Sequence, residues 1–180
     1  MVYIYLADGF EETEAVTIVD IMRRGGADVS SVSVTGSRIV AGAHGIALTA
    51  DLLFEEADHS SCEMIVMPGG MPGAKNLAAH EGLTDRIKEF AAEGKWLAAI
   101  CAAPMVLAGA GVLNGKTATI YPGMEDRLTG AKAVDSPIAR DGKIITSQSP
   151  GTAMVFALYL LTVLKGEEKA AEVEEGLCMS

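Results

Sequence analysis

The chain has 180 residues, 49% of them apolar and 21% charged, which is material for one domain over residues 1–180 and excludes a disordered chain. Fourteen basic side chains stand against 24 acidic ones, a formal net charge of −10, which disfavours nucleic acid and anionic membrane surfaces as partners. The longest apolar stretch, Ala153 to Leu164, is too short for a bilayer, which takes about 20 residues.

The N-terminal Met-Val-Tyr-Ile-Tyr-Leu-Ala turns acidic at Asp8 and reads as no signal peptide. Val2 to Ala7 is a short apolar run of β-formers, the pattern of a buried first strand. Glu12 to Gly25 reads as a helix with Ala15, Val16, Val19 and Met22 on one face, Arg23 and Arg24 in its last turn and Gly25-Gly26 as its stop. Asp28 to Thr35 reads as a second strand, and Arg38 to Asp51, with Gly42 and Gly45, as a small hairpin. Met64 to Met67 is a further buried strand closed by Pro68-Gly69-Gly70. Ala74 to Ala79 and Leu83 to Ala92 read as helices around a break at Glu81-Gly82. Trp96 to Ile100 is a strand, Ala102 to Ala110 a helix and Lys116 to Ile120 a strand. Ile138 to Arg140 and Lys143 to Ser147 flank the turn pair Asp141-Gly142. Pro150 to Lys165 is an apolar helix, and Glu167 to Glu174 a charged one.

Strands alternating with helices imply an α/β fold with a mostly parallel sheet covered on both faces. Function in such sheets sits at the carboxyl ends of the strands. That places three candidate segments: Asp8 to Glu14, Pro68 to Asn76, and Cys101 to Pro104.

Cys101 is the sharpest signal. It follows the apolar strand Leu97-Ala98-Ala99-Ile100 and precedes Ala102-Ala103-Pro104, the strand–turn–helix setting of a nucleophile elbow. A helix N-terminus there is expected to favour the thiolate. A buried, inert cysteine is the alternative. The other cysteines, at 62 and 178, read as structural or incidental, and three widely spaced cysteines fit neither a disulfide framework nor a zinc site. A reducing cytoplasm and no metal are therefore expected.

The segment 98–104, Ala-Ala-Ile-Cys-Ala-Ala-Pro, resembles the cysteine elbow of the ThiJ/PfpI superfamily, in the branch of the Parkinsonism-associated DJ protein. Asp8-Gly9-Phe10-Glu11-Glu12-Thr13-Glu14, the Pro-Gly-Gly loop within 67–77, and Asp141 to Ser147 with Pro150-Gly151-Thr152 resemble three more of its segments in the same order. The resemblance implies a flavodoxin-like three-layer sandwich, a homodimer, and a reactive Cys101 hydrogen-bonded to a protonated Glu14. It also implies backbone donors at Gly70 and Ala102, with Gly69 beside them, and a pocket near Tyr121 and Pro150. A carboxyl buried beside a thiolate is expected to titrate high. An exposed carboxylate serving the helix dipole is the alternative for Glu14, and suits Glu11 and Glu12 better.

The sequence departs from the family pattern in two places. Tyr121 stands where many members carry His, and Ala102 stands where the protease-like branch has its His, so a Cys–His peptidase is not supported. His44, His59 and His80 lie outside the matched segments and read as surface loop residues. No phosphate loop or nucleotide motif is present, so no cofactor is expected. Two functions follow from the resemblance. One is a cysteine-dependent enzyme on small reactive carbonyls, as a glutathione-free glyoxalase or a protein deglycase. The other is a redox-responsive, chaperone-like stress protein whose Cys101 becomes a sulfinate. A plain dimeric binding module is the residual reading.

Overall fold

The computed structural model describes residues 1–179. The chain begins β1 (Val2–Leu6), α1 (Glu12–Arg24), β2 (Val29–Ser33), β3 (Ile39–Ala41), β4 (Ala47–Thr49) and β5 (Leu52–Leu53). It continues β6 (Met64–Met67), α2 (Gly73–Ala79), α3 (Glu81–Ala92), β7 (Trp96–Ile100) and α4 (Pro104–Gly109). Then come β8 (Thr117–Ala118), β9 (Lys132–Ala133), β10 (Ile138–Asp141), β11 (Ile144–Ser147), α5 (Ala153–Lys165) and α6 (Glu167–Gly176). Seven strands form one sheet in the order β10-β11-β7-β6-β1-β2-β5. Every neighbouring pair is parallel except β10 with β11.

The alternation of side chains along β1 divides the core into two layers. Val2, Ile4 and Leu6 face one side, where they pack with Ile18, Ile21 and Met22 of α1 and Phe156, Leu160 and Leu161 of α5. Tyr3 and Tyr5 face the other, with Leu83, Ile87 and Phe90 of α3 and Val106 and Leu107 of α4. Each fully buried large apolar side chain contributes about 1.5–3 kcal/mol relative to exposure. The result is the expected α/β, flavodoxin-like sandwich of helix, sheet and helix.

Several boundaries differ from expectation. Val16 is 47% exposed, and the buried face of α1 is Glu12, Glu14, Ala15, Ile18, Ile21 and Met22. This helix is apolar over a wide arc, and packing against α5 chose which edge of it is covered. The break between α2 and α3 falls at His80, whose side chain accepts the Leu83 N–H, and Gly82 lies inside the first turn of α3. Only Thr117–Ala118 of the expected 116–120 strand forms, and it pairs with β9 outside the main sheet. The helix expected from Ala102 starts at Pro104, and Pro150–Thr152 is a 3₁₀ turn ahead of α5. No helix among the described residues is long and apolar enough to cross a membrane.

Candidate active site

Three adjacent strands, β1, β6 and β7, end together, and their following segments meet. The chain leaves β7 into Cys101, whose φ of 61° is a left-handed conformation that L side chains rarely adopt. Two hydrogen bonds hold it there. Its N–H donates to the Ser147 carbonyl at the end of β11 (3.0 Å), and its carbonyl accepts the Tyr121 N–H (2.9 Å). The side chain is thereby raised off the strand line, with the residue 8% exposed.

The Pro-Gly-Gly loop packs directly on this turn. A Cβ on Gly69 would lie 2.7 Å from Cys101 Cβ and 2.8 Å from Ala102 N. Gly70 has φ +86°, and a Cβ there would lie 2.5 Å from Glu11 N. Both positions therefore need glycine, the second for its backbone angle as well as for space.

Glu14 comes from the first turn of α1 and is wholly buried. Its Oε2 accepts the Gly69 N–H at 2.7 Å, while Oε1 has no partner. Burial raises its carboxyl to about 7, against the Gly69 bond and the neighbouring Cys101 thiol, which lower it, and the nearby Glu11 charge adds to the rise. Burial also pushes the Cys101 thiol up to about 12, helped by the Glu14 charge, while the N–H groups of Gly70 and Ala102 work the other way. The expected thiol-lowering helix end is absent, because α4 starts three residues on and is only six residues long. Protonating Glu14 takes away the second of the causes that raise the thiol, while burial, the larger one, still holds it up. The repulsion then disappears, and the two N–H groups remain on the sulfur.

The structure thus brings Cys101, Glu14, Gly70 and Ala102 together. The Gly69 N–H is committed to Glu14, so Gly69 acts on the carboxyl rather than facing a substrate oxygen. Tyr121 is 45% exposed and contributes its backbone N–H. Pro150 is half-buried at the start of the 3₁₀ turn beyond Ser147. Ser147, whose carbonyl pins Cys101, carried no signal in the sequence because a backbone acceptor has no residue preference.

Glu11 and Glu12 differ from the expected exposed carboxylates, being 8% and 5% exposed. Glu11 caps α1 by accepting the Glu14 N–H at 2.7 Å. Glu12 accepts the His44 N–H at 2.6 Å and faces His44 Nδ1 at 2.8 Å. Burial opposes its ionisation, but the bonds from His44 and Ile46 win and hold it at about 2. His59 likewise departs from a solvated loop residue. It is half-buried, its Nε2 is 2.6 Å from the Tyr5 hydroxyl, and its ring stacks on Tyr5. Glu11, Glu12 and His44 are also the group whose ligand atoms lie within 4.8 Å of one another, but both Glu12 oxygens and Glu11 Oε2 already face N–H groups of the protein.

The DJ-1/PfpI family profile matches residues 1–163. The chain is 43% identical over 180 residues to protein DJ-1 homolog B of Arabidopsis thaliana, covering 99% of this chain and 41% of that one, and so spans less than half of that relative. It is 31% identical over 166 residues to a protein of Pyrococcus abyssi named a deglycase, covering 91% of this chain and 99% of the relative. The structure of oxidized Toxoplasma gondii DJ-1 superposes with a TM-score of 0.94 at 37% identity, over 98% of this chain and 97% of that one. In sequence and in backbone alike, the chain belongs to the DJ-1/PfpI family.

Proposed function

We propose that the protein is a cysteine-dependent enzyme acting on small reactive carbonyls, with Cys101 as nucleophile and Glu14 as its proton shuttle. The observation that carries this reading is the buried Glu14 carboxyl, raised to about 7, beside a cysteine held at a left-handed elbow. The deglycase name of the Pyrococcus abyssi relative agrees with it. With glyoxal, the sulfur attacks one aldehyde carbon, and the carbonyl oxygen takes the Glu14 proton to give a hemithioacetal. The Glu14 carboxylate then removes the proton from that carbon to form an enediolate and returns it to the neighbouring carbon, while the hydroxyl proton passes to the neighbouring oxygen, leaving a thioester. Water cleaves the thioester to glycolate and the free thiol. In this reading the N–H groups of Gly70 and Ala102 hold the oxyanion. The working form is a homodimer. Support for that comes from exposed apolar side chains on α1 and the β3–β4 hairpin, Val16, Ile39 and Ile46.

The test is glyoxal consumption by wild type and Cys101→Ser, with glycolate measured as product. Loss of at least about a hundredfold in the variant is expected, within the range for removing a nucleophile. Equal rates in the two proteins would overturn the reading. A second reading, oxidation of Cys101 by peroxide to a sulfinate with release of two waters, is favoured by the same N–H pair and by the protonated Glu14 as donor. It predicts a gain of two oxygens in intact mass on Cys101 alone.

A further inference from the structure

The turn between β3 and β4 carries a charge cluster that the reaction above does not use. Gly42 to Ile46 folds over the start of α1, with the Ala43 N–H donating to the Phe10 carbonyl at 2.8 Å. The Glu12 carboxylate enters this turn. Its Oε1 accepts the N–H groups of His44 (2.6 Å) and Ile46 (3.4 Å), and Oε2 faces His44 Nδ1 at 2.8 Å. A Cβ at Gly42 would collide with this carboxylate, so a glycine there is what admits it. The two Glu11 oxygens have different neighbours. Oε2 accepts the Glu14 N–H at 2.7 Å, and Oε1 lies 3.9 Å from His44 Nδ1.

We propose that His44 is a positioning residue of the Cys101 site, which with Glu12 docks the β3–β4 turn on α1 and sets the charge that Glu11 presents to Glu14. The inference rests on the reading of Cys101 and Glu14 as the reacting pair and deepens it. His44 Nδ1 faces a carboxylate and keeps its proton, so Nε2 is the nitrogen that titrates, on a side chain 70% exposed to solvent. Ionised Glu11 and Glu12 favour the charged ring. With His44 neutral, the cluster carries the two negative charges of Glu11 and Glu12. With His44 protonated it carries one. A less negative cluster stabilises negative charge on the Glu14–Cys101 pair, so the pair gives up its proton at lower pH.

Asp8 is exposed and accepts the Ala41 N–H at 2.9 Å. Lys75 of α2 is exposed, and the single charged side chain of α5 is Lys165 at its far end.

The measurement is the rate of Cys101 alkylation by iodoacetamide against pH, read by peptide mass, in wild type, His44→Arg, His44→Gln and Glu12→Gln. Arg fixes the positive charge and Gln removes it, so the Arg midpoint is expected about half a pH unit below the Gln midpoint, a separation set by screened Coulomb interaction near a surface. Wild type should follow the Arg variant at acid pH and the Gln variant at alkaline pH. Glu12→Gln keeps the acceptor for the turn and removes one negative charge, so it should move the midpoint down, as Arg does. Coincident Arg and Gln profiles would overturn the proposal and leave His44 as turn packing only, as would a Gln midpoint below that of Arg. Alkylation needs a nucleophilic sulfur but no carbonyl chemistry, so failure to consume glyoxal would sink the proposed function and leave this test standing.

Discussion

Glu14, in its proposed role beside Cys101, is a side chain whose ionisation opposes stability. Its folded-state pKa of about 7 lies above the ordinary 4.5. The stability contributed by the neutral acid is therefore complete below about 4.5 and is lost as pH rises through 7. That rise corresponds to about 3 kcal/mol. Glu14→Gln keeps an acceptor for the Gly69 N–H and a donor toward sulfur but cannot ionise. Urea denaturation at pH 4.5, 6 and 8 should find the variant more stable than wild type by about 2–3 kcal/mol at pH 8, with the difference closing toward pH 4.5. A pH-independent difference would mean that Glu14 does not titrate in this range. Gln should also suppress carbonyl turnover with Cys101 still open to alkylation, because the donor survives and the shuttle does not. Glu14→Leu removes both, and should suppress both.

At the scale of elements, the site depends on how α1 is held. Its first turn supplies Glu11, Glu12 and Glu14, and its remaining length lies against α5. Gly25 at its end is a point of close approach, since a Cβ there would overlap Leu161. Phe156 of α5 is fully buried in the layer it shares with Ile18 and Met22. Phe156→Ala should cost about 3–5 kcal/mol, the range for emptying a core aromatic site. Because the layer positions α1, the same variant should slow Cys101 alkylation even where it remains folded. Thermal unfolding and a timed alkylation check the two parts. An unfolding midpoint within a degree of wild type would show that the α1–α5 layer is not what holds this edge of the sandwich.

For the whole molecule, three of the exposed apolar residues, Val16, Ile39 and Ile46, belong to α1 and the β3–β4 hairpin. Val16 and Val19 of α1 and Leu48 and Thr49 of β4 line a groove whose rim carries Asp20 and Arg23. The β3–β4 hairpin that borders it adds Ile39 at 66% exposure and Ile46 at 60%. A chain with net charge −10 repels copies of itself at long range, so association has to come from such short-range apolar contact. Light scattering at micromolar concentration should give about twice the 18.7 kDa chain mass, and Val16→Glu should shift the population toward the single chain. A wild-type mass of 18.7 kDa would exclude the dimer.

Much of the fold was legible because local pattern and burial agree. The apolar runs at 2–7, 64–67 and 96–100 became the buried strands β1, β6 and β7, and the turn expected at Asp141-Gly142 falls one residue on, at Gly142-Lys143 between β10 and β11. The elbow could be read because its constraint is local: a strand, a left-handed residue, then small residues before Pro104. Contacts between distant segments were not legible. Glu12 meets His44 across 32 positions and Tyr5 meets His59 across 54, and no local spacing encodes either pair. Nor did the pattern of α1 say which edge of a broad apolar arc is covered, so that of the residues expected to share a face Ala15 and Met22 are buried and Val16 is exposed. The sequence by itself determined where strands, turns and the cysteine elbow form, since backbone sterics and hydrophobic period act within a few residues. Only the tertiary structure decided the charge state of the pair at the elbow. Burial of Glu14, and the donors and charges gathered around it and Cys101, come from segments that meet after the chain has folded.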